Sequence, residues 1–174
     1  MKTVKVLGAI IVALVLQTLL SRYLVHSRLA LDLVLVAVTF VALQAGPVAG
    51  LFAGTLGGLV QDALSTGVLG IGGLAKTTVG FLAGVVGSQF IVSGPIPRFV
   101  VFVAASFVQL GVVLALETLL ELRPMARSVP LVLMGALGNA LVGIVVSQLV
   151  DLLPGAVERR RAAREHVRAT RLHE

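Results

Sequence analysis

The sequence has no cysteine, no tryptophan, a single tyrosine and only 13% charged residues. Without cysteine there is no disulfide, no thiolate metal site and no cysteine nucleophile. The three histidines, His26, His166 and His173, are far apart, and two lie in a polar tail, so a histidine-based metal cluster is not expected. Also missing are a phosphate-cradling Walker loop, an H-E-x-x-H helix, a G-x-S-x-G elbow and an S-x-x-K motif in a catalytic context. No polar stretch is long enough to build an active site outside a membrane. The expectation is therefore no catalytic residue, no cofactor and no metal. What the scarcity of charge leaves is apolar: 57% of the 174 residues are hydrophobic, and mean hydropathy is +1.05. Globular domains run at about 45–50% apolar and about 25% charged. A soluble domain of this length could not hide the excess, whereas lipid tolerates it.

Six apolar runs follow: Val4–Leu20, Leu29–Leu43, Pro47–Leu64, about Leu74–Val92, Phe99–Leu120 and Val129–Leu153. They are continuous and roughly twice the length of barrel strands, which are about ten residues of alternating polarity. Helices satisfy every backbone group in lipid, so the expected fold is all-α, a bundle of six transmembrane helices over residues 1–156. The run after Met1-Lys2-Thr3-Val4-Lys5 is read as the first span and not a cleaved leader, because no A-x-A-like site follows it. Gln44-Ala45-Gly46 predicts a tight hairpin into Pro47, which suits the first turn of a helix. Four glycines within Ser65–Gly73 predict a turn with a short, re-entrant piece packed against the bundle.

Glycine recurs at every fourth position at Gly46, Gly50, Gly54 and Gly58, and again at Gly80 and Gly84. On a helix this draws a smooth ridge. Lipid gives helices little hydrophobic drive to associate, and close backbone approach supplies the attraction instead. The ridge predicts close packing, either within the chain or against a partner helix. Asp62 and Lys76 flank the glycine-rich loop, and ionisable groups near the membrane interior are functional candidates. They are expected to pair with each other or reach the interface, with a ligand pocket or a partner contact as the sharper options. Thr77 and Thr78 are expected to bond the preceding helical turn. Asp32 is expected to pair at the interface with Arg22 or Arg28. Gln89, Gln109, Asn139 and Gln148 are expected to face inward and bond across helices, too scattered to form a polar path. Glu117 and Glu121 sit one turn apart at the end of a span and are expected to face water.

The tail, residues 157–174, carries Arg159, Arg160, Arg161, Arg164, Arg168 and Arg171. Such juxtamembrane clusters attract anionic lipid headgroups, about 1 kcal/mol per charge, or an acidic cytoplasmic partner. With no aromatic residue and no folded domain there, nucleic acid is not an expected partner. Six spans put both termini on one side. Nine basic residues fall on that side against five on the other, which predicts cytoplasmic termini.

The stretch from Asp32 to Gly84 carries a family resemblance, in Asp32-Leu33-Val34-Leu35-Val36 and then in three longer pieces: Leu43-Gln44-Ala45-Gly46-Pro47-Val48-Ala49-Gly50, Gly57-Gly58-Leu59-Val60-Gln61-Asp62-Ala63-Leu64-Ser65 and Leu69–Gly84. They resemble the R/Q-x-G-P-x-x-G hairpin, the G-L-x-x-D-x-x-S step and the L-G-x-x-A-L-x-x-x-L-x-G-Y-x-x-G segment of the bacterial rod shape-determining protein MreD family. Phe81 stands where tyrosine is frequent. The resemblance implies a non-enzymatic scaffold subunit of the cell-elongation machinery in the bacterial cytoplasmic membrane. It implies an MreC-like single-span partner and, through it, the glycosyltransferase RodA, a class B penicillin-binding transpeptidase and MreB filaments. It also implies a fold like the substrate-binding S components of energy-coupling-factor transporters. The alternative function is therefore a vitamin-binding transport subunit, against which the missing tryptophan and sparse polar groups argue.

Overall fold

The computed structural model describes residues 2–23, 31–65, 68–90, 92, 94–121 and 128–170. Six helices follow one another: α1 (Lys2–Tyr23), α2 (Leu33–Ala45), α3 (Pro47–Leu64), α4 (Ile71–Gln89), α5 (Pro95–Leu119) and α6 (Val129–Thr170). No strand occurs among the described residues. Three helical stretches are long and apolar enough to cross a membrane: Ile71–Gln89, Pro95–Leu119 and Val129–Leu152. Shorter apolar helices occupy Ile10–Leu19 and Leu33–Ala45.

The middle of the bundle is α2. Its sequence is apolar almost all round, as a fully enclosed helix requires, and Val34 through Thr39 are all buried. Each face has its own neighbours. Val34, Val38 and Val41 pack with Ile10 of α1 and Ala53 of α3. Leu35 meets Val79 of α4 and Ala105 of α5. Val36 meets Phe102 of α5 and Ala140 of α6. The Phe102 ring, 1% exposed, fills the space that a side chain at Gly143 would need.

Sequence had placed the start of α2 at Leu29, but the helix begins at Leu33, because the Asp32 carboxylate accepts from the Leu35 N–H and caps it. With 13 residues, α2 is about 20 Å long at 1.5 Å per residue. A hydrocarbon core is about 30 Å thick, so α2 falls short of a full crossing. At the other end Gly46, at φ 90°, closes α2 and opens α3, with Pro47 at the first helical position. A side chain would be strained at that φ.

The largest helix–helix interface joins α3 and α4, and the glycines make it. A Cβ at Gly50 would overlap the Gly80 carbonyl, and one at Gly54 would overlap the Lys76 carbonyl. At Gly58 it would fall 2.6 Å from the Gly73 Cα, and at Gly84 it would strike the backbone of Pro47 and Gly46. Gly50, Gly54, Gly58, Gly80 and Gly84 thus let two backbones touch. Gly46 serves as the turn, with open space beside it. The ridge meets α4 of the same chain, so it is not a free surface for another protein.

Helix α4 starts at Ile71, earlier than the expected Leu74, so Gly72 and Gly73 belong to its first turn and not to a re-entrant loop. Gly67 lies outside the described residues. Helix α6 continues past its apolar stretch through Thr170, which places the backbone of Arg159, Arg160, Arg161, Arg164 and Arg168 on helix. Arg171 lies outside the described residues.

Candidate functional site

Two aspartates organise the polar interior. Asp62, near the end of α3, reaches across the turn to the start of α4. Its Oδ2 accepts from the Gly70 N–H at 2.8 Å and the Gly73 N–H at 3.0 Å. The first N–H groups of a helix have no partner within it, and they favour a negative charge. Asp62 supplies both needs, which is why a glycine-rich stretch can open a helix here. Asp62 does not pair with Lys76, contrary to the sequence expectation.

Lys76 pairs instead with Asp32, its Nζ 2.7 Å from Oδ2. The two side chains are 4% and 15% exposed. Of the interfacial partners expected for Asp32, Arg28 and the side chain of Arg22 lie outside what the structure describes. The same carboxylate accepts from Gln109 Nε2 at 3.0 Å and from the Leu35 N–H at 3.0 Å. Three donors and the positive end of α2 thus converge on one buried charge, and they are what makes its burial tolerable.

The network runs on. Asn139 Oδ1 accepts from the Asp32 N–H at 2.8 Å, and Asn139 Nδ2 donates to Ser106 Oγ at 3.2 Å. Ser106 in turn donates to the Phe102 carbonyl. On the α1 side Gln17 donates to the Leu31 carbonyl and accepts from the Leu33 N–H. The chain entering α2 is therefore clamped by side chains from α1, α5 and α6, and through Asp32 from α4. Gln109 is the fifteenth of the 25 residues of α5, and Asn139 sits near the middle of Val129–Leu152. The charge pair lies well within the depth of these two helices.

Gln109 and Asn139 do face inward as expected, but they converge instead of scattering. With Asp32 and Ser106 they line a cleft of about 210 Å³ between α5 and α6, floored by the start of α2. Gln89 and Gln148 are exposed, against expectation. Thr77 and Thr78 donate to the Gly73 and Leu74 carbonyls one turn back, as expected, and Thr77 also bonds Thr55 of α3 at 2.8 Å. Sequence reasoning missed Gln17 and the Asp32–Lys76 pair. A charge at the mouth of an otherwise unbroken apolar run, with a lysine in another, was the available signal.

Among the described residues, no three histidine, aspartate or glutamate side chains gather as metal ligands. The ionisable groups described inside the bundle hold helices together. Outside it, Arg98 of α5 pairs with Asp151 of α6 at 2.6 Å, closing that hairpin at the end where the tail begins.

A helical bundle with crossing-length apolar helices and interior charges paired or capping helices defines a membrane protein. Its family follows from the whole sequence: residues 2–153 match the profile of the rod shape-determining protein MreD. The chain belongs to the MreD family, and its role lies in rod-shape determination at the membrane. No curated protein and no solved structure matches it, so the likeness to transporter S components finds no support in a known fold.

Proposed function

We propose that this chain is a non-catalytic scaffold of the cell-elongation machinery, which receives the transmembrane helix of an MreC-like protein. The observation that carries the reading is the family match over residues 2–153. It is supported by the fate of the interior charges described, which cap a helix or bind one another. RodA, the class B transpeptidase and MreB filaments are reached through that partner. The tail arginines contact anionic headgroups beneath the membrane, and both termini lie in the cytoplasm.

The docking surface proposed for the partner is the outer face of α5. Of the three crossing-length stretches it is the least covered, with Phe102 and Ala105 as its buried residues. Its open positions, Val100, Ala104, Phe107, Gly111 and Leu114, recur at three- and four-residue spacing, the pattern of a helix-packing seam. Small residues at Ala104 and Gly111 permit close approach. The native chain lacks cysteine, which makes single-cysteine crosslinking clean. Phe107→Cys or Leu114→Cys should form a disulfide with cysteines placed along the co-expressed partner's helix, while Phe52→Cys on α3 should not. Failure of the partner to co-purify in mild detergent or native nanodiscs would refute the scaffold reading. Crosslinking from Phe52→Cys alone would move the docking face.

A further inference from the structure

Helices α1 and α6 both pack on α2 but, among the described residues, not on each other. The gap between them is an apolar groove of about 340 Å³. Its walls are stripes at helical spacing, Gly8, Val12 and Leu16 on α1 and Val146 and Val150 on α6, with Phe40 of α2 between them. The walls are open to an occupant: Val12 is 58% exposed, Leu16 50% and Val150 37%. A Cβ at Gly8 would meet nothing within 4 Å. No helix contact requires that glycine, and what it does is leave the groove wide at this end.

The groove runs toward the end of the bundle where the tail begins. Val150 is followed by Asp151, which pairs with Arg98 at the start of α5. Lys5 stands three residues before Gly8, on the same stripe of α1, and Lys2 one turn further on. Helix α1 carries no acidic residue, and the Asp151 charge is met by Arg98, so this end of the groove favours an anion. The walls themselves select little, because lipid tails are as apolar as the valines and leucines they touch. Charge at the open end therefore decides the occupant. With the tail in the cytoplasm, a partner's transmembrane helix would bring its own basic flank to this side, like charge against Lys5. A phospholipid brings a phosphate. Each lysine near the surface favours an anionic headgroup by about fivefold.

We propose that the α1–α2–α6 groove binds one acyl chain of an anionic phospholipid from the leaflet on the tail's side, with the headgroup at Lys5. The site is separate from the contact between the tail and headgroups, and it does not rest on the scaffold role.

The test uses the absence of native tryptophan. Leu149→Trp, at an exposed position beside Val150, reports on the groove, and Phe52→Trp on α3 reports on ordinary bilayer. Each full-length variant is reconstituted in phosphatidylcholine with brominated phosphatidylglycerol or brominated phosphatidylcholine of the same chain length. Quenching at Leu149→Trp should favour phosphatidylglycerol by at least about fivefold, and quenching at Phe52→Trp by less than about twofold. Added to the groove reporter, Lys5→Gln should lower the preference by about fivefold. Gly8→Leu, which fills the groove where no neighbour stands in the way, should remove the preference while thermal melting stays cooperative. Replacing Arg159, Arg160 and Arg161 together by glutamine should leave it in place. Equal preference at the two reporters, or a preference that survives Gly8→Leu, overturns the proposal. So does loss on the tail substitutions but not on Lys5→Gln, which gives the headgroup to the tail. Quenching of Leu149→Trp by neither lipid, in the chain purified with its MreC-like partner, also overturns it and assigns the groove to a partner helix.

Discussion

Neutralising one member of the Asp32–Lys76 pair should be far more damaging than neutralising both. The pair is 2.7 Å apart, with side chains 4% and 15% exposed. Removing one partner of a buried ion pair typically costs about 3–5 kcal/mol, because the other charge is left uncompensated. The two sides are not equivalent here. In Lys76→Met the Asp32 carboxylate keeps the Gln109 amide and the Leu35 N–H, so the cost belongs near the lower figure. In Asp32→Asn the helix cap survives, since asparagine caps as well as aspartate. The Lys76 ammonium, however, loses the only partner it has among the described residues, and the cost belongs near the upper figure. The double variant leaves no buried charge and should recover about 3 kcal/mol relative to the sum of the singles. A double-mutant cycle by denaturant unfolding in mixed micelles measures this coupling directly. Singles that each cost under about 1 kcal/mol, or strictly additive costs, would refute the view that this pair is a buried structural contact.

Glycine positions should split by what faces them. Gly50→Ala pushes a methyl into the Gly80 carbonyl and should destabilise by about 1–3 kcal/mol. Gly111→Ala meets nothing within 4 Å and should stabilise α5 by about 0.5–1 kcal/mol; both are read from melting of the purified chain. Asp62→Ala should cost about 1–2 kcal/mol and speed amide exchange selectively at Gly70 and Gly73, whose N–H groups it uncovers. Arg98→Ala, at a pair whose aspartate is 48% exposed, should cost under about 1 kcal/mol, and the difference from the native chain should shrink in high salt.

Local pattern made much of this fold readable. Pro47 after Gly46 marked the start of α3, and the fourfold glycine spacing announced a close contact, because both are properties of adjacent residues on one element. The spacing could not say what the ridge touches; that α4 brings its own glycines to meet it is a fact of three dimensions. Asp32 looked like an interfacial group because it stands at the edge of an apolar run. Its partner Lys76 is on another helix, and Asn139, which holds its N–H, is 107 residues away. Amides on separate helices look scattered along a chain, and only the packing of α5 and α6 around α2 gathers Gln109 and Asn139. The glycine-rich entry to α4 read as loop on propensity alone. A carboxylate from the preceding helix outweighs that propensity by satisfying the N–H groups that glycine leaves accessible.

The backbone-to-backbone seam between α3 and α4 also decides where this molecule can breathe. Interlocked carbonyls and α-carbons leave no slack for sliding, so α2, α3 and α4 move as one slab. The α5–α6 hairpin meets that slab through side-chain packing and the hydrogen bonds of Gln109 and Asn139 to Asp32. Any relative movement of helices therefore falls between that slab and the α5–α6 hairpin, and not along the glycine seam.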